Sequence, residues 1–337
     1  MNPTMTSGMP DPGAIFAELR AFERSAALKG AIELEVFTHI DDGATTPEEI
    51  AAKAGAAVRG VRILCDFLTL AGHLTKFGDS YGLTMNSQLF LSKRSPSYLG
   101  SIADFLAGDH QKEAMWQVVA CVRKGGSVTP EALEPDSPIW AVFARGMAPM
   151  IRTFAAAAIP HVVQGDTPAR ILDIAAGHGL WGITALQLNP SAEVTGQDWP
   201  TVLEVAVENA RKAGVGDRYR TLPGSAFDVD FGTGWDVILE PNFAHHFDVA
   251  DNVKIFRKIQ GALKPGGRIA IIEFVPNEDR VSPPMAAGFA LTMLTATPKG
   301  NVYTFSEFER MLLAAGFQDV KMVDLAPMPQ RLITAVA

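Results

Sequence analysis

The sequence is poor in cysteine: only Cys65 and Cys121 occur among 337 residues. Both stand in apolar surroundings without a Cys-x-x-Cys spacing. No disulfide framework is therefore expected, and the pair reads as buried thiols of a reducing compartment. Positive charge is also scarce. Lys and Arg total 29 against 37 Asp and Glu, a formal net charge of −8. This balance argues against general binding to nucleic acid or to anionic membrane surfaces. The start, MNPTMTSGMPDPG, has neither a basic n-region nor an apolar h-region and does not read as a signal peptide. No uninterrupted apolar run reaches ~18 residues, so no membrane span is expected and the location is expected to be cytoplasmic. Internal repeats are lacking too. What is present is 47% hydrophobic and 20% charged residues, a globular balance, over a length that suits two domains with full cores.

The first half patterns as helix. Residues 1–12 are expected to be a disordered lead-in, and a winged-helix-like dimerisation domain is expected over 13–100. Ile15, Leu19, Phe22 and Ala26 form a helical stripe within a segment running to Leu34. In TTPEEIAAKAG, Thr46 caps a helix, Pro47 opens it, Glu49 completes a capping box and Gly55 ends it. A second helix, VRGVRILCDFLTLAG, stops near Gly72, and HLTKFGDSYGLT reads as two short strands around Gly78-Asp79. Helix, helix and hairpin make a winged-helix pattern. Residues 101–165 read as linker and pocket helices, broken at Gly125-Gly126 and by the Pro-rich TPEALEPDSP.

Over 166–337 the pattern changes to alternating strand and helix. Strands are predicted at Arg170–Ile174, Glu193–Gln197, Tyr219–Leu222, Asp236–Leu239 and Arg268–Phe274, with helices between them. The helix FSEFERMLLAAG and two final strands, Asp319–Val323 and Arg331–Ala335, close the chain. The fold class is therefore α/β: a Rossmann-like, doubly wound mixed sheet behind a mainly helical first domain.

The first strand runs into a small-residue loop, ARILDIAAGHG. Gly177, Gly179 and Gly182 spell G-x-G-x-x-G, which alone is a weak dinucleotide signal. Asp173 at the strand end argues against a pyrophosphate, which would repel it, and for S-adenosylmethionine (SAM), whose sulfonium and amine are cationic. The turn LKPGG before an apolar strand and the helix stop AAGF before the closing pair point the same way.

DIAAGHG, Asp198 after the second strand, LKPGG and LLAAGF together resemble a class I SAM-dependent methyltransferase. With the winged helix and FARGMAPM, nearly the whole chain resembles the small-molecule O-methyltransferases of the caffeate and acetylserotonin type. The resemblance implies SAM as cofactor, with S-adenosylhomocysteine (SAH) as its product, no metal, a homodimer formed through the first domain, and a small-molecule acceptor in secondary metabolism. For the cofactor it implies Asp173, Ala175, Gly177, Gly179, the ribose-binding Asp198, Ser225, Ala226 and Phe227 around adenine, and Asn242. For catalysis it implies His245 as the base that deprotonates an aromatic or polyketide-like hydroxyl, and Glu273, 28 residues on, as the acid orienting it. Phe143, Met147, Met150, Met293 and Leu294 would wall the acceptor.

Four positions depart from the family pattern. Ala175 replaces the first loop glycine and is tolerable at negative φ. Ser225 replaces an acid, Val302 stands where a second catalytic acid is usual, and Pro241 where plant members often carry lysine. These departures motivate an alternative, a SAM-binding natural-product tailoring enzyme with N- or C-methylation or non-methylating chemistry. A more remote alternative is a winged-helix DNA-binding regulator, although its second helix offers only Arg59 and Arg62 as bases.

Overall fold

The computed structural model of the chain describes residues 11–129, 138–163 and 169–337. The chain divides into two compact units, Met1–Ala107 and Gly108–Ala337. Most of the lead-in, most of the Pro-rich stretch and the expected start of the α/β pattern at Thr167 lie outside the described residues.

The first unit carries α1 (Pro12–Leu19), α2 (Phe22–Glu33), α3 (Val36–Asp41), α4 (Pro47–Ala54) and α5 (Val58–Leu70), then the strands β1 (Leu74–Phe77) and β2 (Ser80–Leu83). Two short helices follow, α6 (Met85–Leu91) and α7 (Ala103–Leu106). Helix α1 starts at once, because the Asp11 side chain accepts the Gly13 N–H and Pro12 presets the first turn. The predicted stripe breaks after Leu19, and Glu35, left-handed at φ +53°, turns the chain into α3. The capping box at Thr46 and Glu49 forms as expected. Phe37, Ile50, Val61, Cys65, Leu68 and Tyr81 make the core. Burial pushes the Cys65 thiol up to about 12, so it stays protonated. Helix α1 buries none of its residues; Ile15, Phe16 and Leu19 are exposed.

The second unit begins with α8 (Asp109–Trp116), α9 (Val118–Lys124) and α10 (Pro138–Ala158). The alternation follows: β3 (Arg170–Ile174), α11 (Leu180–Leu188), β4 (Glu193–Asp198), α12 (Pro200–Lys212), β5 (Tyr219–Pro223), β6 (Trp235–Pro241), α13 (Val249–Ala262) and β7 (Leu263–Glu273). Helices α14 (Pro284–Ala296) and α15 (Phe305–Ala314) precede β8 (Gln318–Asp324) and β9 (Arg331–Val336). The strand order is β5-β4-β3-β6-β7-β9-β8. Its first five strands are parallel, and β9 and β8 close it antiparallel. Pairing stays in register except where LKPGG bulges out of β7, between Trp235↔Leu263 and Val237↔Arg268, and in β8 between Gln318 and Lys321.

Alternation along each strand feeds two cores. Ile171, Leu239 and Ile272 face α10 and α11, meeting Ile151, Ala155, Trp181 and Ile183. Leu172, Ile174, Ile238 and Ile271 meet Phe256 of α13 and Phe308 of α15 on the other face. Each such side chain stabilises by about 1.5–3 kcal/mol on burial, and cutting Trp181 to Ala would cost about 3–5 kcal/mol. The segment Trp140–His161 is long and apolar enough to cross a bilayer by length and composition. Here its Ile151, Ala155 and Ala158 are core, and it carries Arg145 and Arg152. The strand order reverses between β3 and β6. Ligands of open α/β sheets bind at the carboxyl ends beside such a reversal.

Candidate active site

Asp173 ends β3 fully buried. The Gly182 N–H donates to its Oδ2 at 3.0 Å, while Oδ1 has no partner among the described residues. Burial foremost pushes its pKa up to about 8; the Gly182 bond opposes this and the Asp198 charge adds to it. A buried carboxylate oxygen without a partner fits a cationic ligand. Ala175, Gly177 and Gly179 all take left-handed conformations, at φ +49°, +56° and +73°. The negative φ that would make alanine tolerable is not met: the turn demands αL at Ala175, and its Cβ costs about 1–2 kcal/mol. Gly182 has a different reason for being small. A Cβ there would lie 2.6 Å from Val194 Cγ1, so this glycine lets α11 approach β4. His178, between the two loop glycines, points inward and accepts the Leu180 N–H on Nδ1 at 3.1 Å. Burial lowers its pKa to about 3, so it is a neutral cap of α11.

The end of β4 folds onto this loop. Asp198 Oδ2 accepts the Gly177 N–H at 2.8 Å and Oδ1 the Trp199 N–H at 2.7 Å. It therefore makes no cap for the helix that follows, and each oxygen retains acceptor capacity. Burial raises its pKa to about 6, against the pull of those two bonds. Buried Gln197, which sequence reading passed over, ties three elements. Its Oε1 accepts the Ala175 N–H at 3.4 Å, its carbonyl the Ala176 N–H at 2.9 Å, and its Nε2 donates to the Gly224 carbonyl at 2.5 Å. Gly224 leads into Ser225, whose Oγ accepts the Phe227 N–H at 3.2 Å. Ala226 is buried, and Phe227 packs on Phe247 with ring centres 5.0 Å apart.

Beyond β6 the chain makes a one-turn helix, Ala244–His246. His245 Nδ1 donates to Glu273 at the end of β7, 2.7 Å from Oε1 and 2.9 Å from Oε2. Both residues are buried. The carboxylate fixes the Nδ1–H tautomer and leaves Nε2 with a free lone pair, the arrangement of a general base. Asn242, at φ +53°, bonds away from the β3 loop: its N–H donates to the Ile272 carbonyl at 2.8 Å and its Oδ1 accepts from Gln330 at 3.4 Å. Among the described residues no cluster of three or more His, Cys, Asp or Glu could hold a metal ion.

The dyad has aromatic neighbours. The Phe289 ring, on α14, stands edge-on to His245 at 5.0 Å and against Phe274 at 4.3 Å. The Trp140 ring, on α10, stands edge-on to His246 at 5.9 Å and to Phe143 at 6.3 Å. Phe143 thus lies one ring away from the histidines. Met147 packs on the core beneath α10, Met150 and Leu294 are half-buried, Met293 is buried, and Val302 is buried and apolar. Trp140 and Phe289 were missed, although each lies one helical turn from a residue singled out, Phe143 and Met293. Glu240 was also missed. It is fully buried on β6, and neither carboxyl oxygen has a partner among the described residues. It pairs with Ile271 and so shares a sheet face with Glu273. Burial foremost, then the Glu273 charge, pushes its pKa well above the ordinary carboxyl value.

A family model described as an O-methyltransferase domain matches residues 109–318, and one described as an O-methyltransferase dimerisation domain matches 18–93. A crystal structure from Nostoc punctiforme PCC 73102, provisionally assigned as an O-methyltransferase, is 43% identical and superposes with a TM-score of 0.94, covering 98% of this chain and 100% of that one. The tetracenomycin polyketide synthesis 8-O-methyl transferase TcmO of Streptomyces glaucescens is 25% identical over 92% of each chain. Human N-acetylserotonin methyltransferase in complex with SAM is 21% identical with a TM-score of 0.83, covering 98% of this chain and 99% of that one; it shares the fold.

Proposed function

Because this chain belongs to the SAM-dependent O-methyltransferase family and carries that family's dimerisation domain, we propose that it methylates a hydroxyl of a small aromatic or polyketide-like molecule, with His245 as base and Glu273 as its orienting acid. The observation that carries the reading is the buried His245–Glu273 pair at 2.7 Å, set at adjacent strand ends.

The residues present fit the cofactor. Asp173 offers a buried carboxylate oxygen with no partner among the described residues, and Asp198 offers acceptor capacity for a ribose diol. The Ala175–Gly179 loop, Ser225, Ala226 and Phe227 would complete that half, with Asn242 at its rim. SAM, when bound, supplies a methyl group on a cationic sulfur that leaves as a neutral thioether. An aromatic hydroxyl, pKa near ~10, is a weak nucleophile at neutral pH. His245 Nε2 accepts the proton as the oxygen attacks, and Glu273 stabilises the imidazolium that forms. Phe143 and Phe289 supply apolar surface for a planar ring, and Met147, Met150, Met293 and Leu294 line the helices behind them. TcmO, by its name, methylates a polyketide oxygen. Self-association runs through the first unit, where the exposed apolar side of α1 fits burial against a second copy.

The test is methyl transfer from SAM to a panel of phenols and hydroxylated polyketides, followed by product mass. His245→Ala is expected to lose about 10²–10⁴ in kcat, with SAM binding retained. A product gaining anything other than one methyl on oxygen would overturn the reading. A regulator reading finds little support: Arg62 of α5 is ion-paired with Asp66 at 3.0 Å.

A further inference from the structure

His246 is the polar group beside the dyad that this mechanism does not use. Its ring centre lies 4.3 Å from that of His245 and tilts 47° to it. Its other ring neighbours are Trp140, edge-on at 5.9 Å, and Phe247 at 6.1 Å. Neither ring nitrogen has a hydrogen-bond partner among the described residues. Nor is either nitrogen sealed off as a buried orphan, and the residue is half-buried. His245 presents its Nε2 equally free of protein partners. One turn of chain thus carries two imidazoles, each with hydrogen-bonding capacity unspent, against an aromatic wall.

Burial, and then His245, hold the His246 pKa well below its ordinary value. The ring is therefore neutral, with one N–H donor and one acceptor nitrogen. Both nitrogens are reachable, so a ligand entering beside Trp140 can engage the donor or the acceptor. Trp140 and Phe247, its other ring neighbours, carry no charge, so a neutral oxygen suits it better than a carboxylate.

Resting on the methyl-transfer reading above, the geometry points to His246 as a specificity-determining residue: it binds a second oxygen of the acceptor, on the ring carbon next to the one bearing the methylated hydroxyl. His245 Nε2 addresses the first oxygen and His246 the second. Vicinal oxygens lie close enough together for two neighbouring rings to reach both. A second hydroxyl across the ring does not.

The test measures tryptophan-fluorescence titration of the full-length protein, saturated with SAH, with phenol, catechol and hydroquinone. Catechol is expected to bind about tenfold tighter than the other two, the worth of one hydrogen bond. His246→Phe keeps a ring against Trp140 and is expected to bring catechol down to the phenol level while phenol itself changes by less than about twofold. His246→Gln, which keeps a donor and an acceptor, is expected to restore part of the preference. Equal affinities in the wild type, or a catechol preference that survives in His246→Phe, overturn the proposal. Methyl transfer to the same compounds is scored separately. Transfer without any catechol preference strikes only the His246 role. A preference lost in His246→Phe, with no transfer to any acceptor, upholds the role and strikes the methyl-transfer reading alone.

Discussion

Replacing Glu240 should stabilise the second unit, increasingly so as pH rises. The side chain is fully buried, without a partner for either oxygen among the described residues, on the same sheet face as Glu273. Burying a neutral polar group unpaired costs about 1–3 kcal/mol. A further cost depends on pH. The unfolded carboxyl loses its proton near its ordinary value, 4.5, whereas the folded one holds its proton to well above that. Between those two points the unfolded state binds fewer protons, so folding stability falls as pH rises, by about 1.4 kcal/mol per unit. At low pH, below both values, this part vanishes. From pH 5.5 to 7.0 the slope caps the accumulated penalty at about 2 kcal/mol, a ceiling of roughly 4–8 °C in Tm for a domain of this size. Thermal unfolding of wild type, Glu240→Gln and Glu240→Leu at both pH values tests it. The glutamine variant keeps the shape and the unpaired polarity but cannot ionise, so its advantage over wild type should grow across that window. The leucine variant should exceed both. A wild-type-to-glutamine difference that does not change with pH would refute the buried, proton-holding carboxyl.

Further outcomes follow from the loop and the residues that hold it. SAM affinity should rise by up to about tenfold per pH unit between 6.5 and 8 and level off above, because the Asp173 carboxyl, at about 8 when free, must ionise to face a cation; calorimetry should find Asp173→Asn weaker and flat. Ala175→Gly should keep SAM binding and change stability by less than about 1 kcal/mol, since relief of the left-handed alanine offsets the extra freedom of glycine. A β-branched Ala175→Val should lose about 1–3 kcal/mol by chemical denaturation. Gln197→Leu would leave the Ala175 N–H and the Gly224 carbonyl short of a partner, costing about 1–3 kcal/mol and loosening SAM binding, both readable in one thermal-shift series with and without SAM.

Much of the architecture was legible because its signals are local. Thr46-Pro47 and Glu49 announce their helix, and apolar strands alternating with amphipathic helices announce a parallel sheet. The His245–Glu273 pairing was legible only through the family resemblance; the structure supplies its distance. What the sequence hid depends on long-range geometry. The Asp236–Leu239 strand runs from Trp235 to Pro241, and that extension is what places Glu240 inside the sheet. The αL turn at Ala175 was invisible because alanine carries no signal for positive φ. Trp140 and Phe289 hid within helices whose apolar residues serve core and site alike. The break after Leu19 defeats a purely periodic reading, since the stripe continues across it while the backbone does not.

The order in which the strands lie has a consequence for inheritance. The loop and acids suited to the nucleoside cofactor sit at the ends of β3, β4 and β5, on one side of the reversal. The histidines and Glu273 sit at the ends of β6 and β7, on the other. Gln197 binds the first group to itself, and the His245–Glu273 bond does the same for the second. The two meet at Phe247, whose ring centre lies 5.0 Å from that of Phe227 and 6.1 Å from that of His246; substitutions that avoid such a shared partner add nearly independently. Exchanges beside β6 and β7 that leave Phe247 in place are therefore expected to leave the β3–β5 side undisturbed, so variation can run on one half of the sheet while the other is held constant.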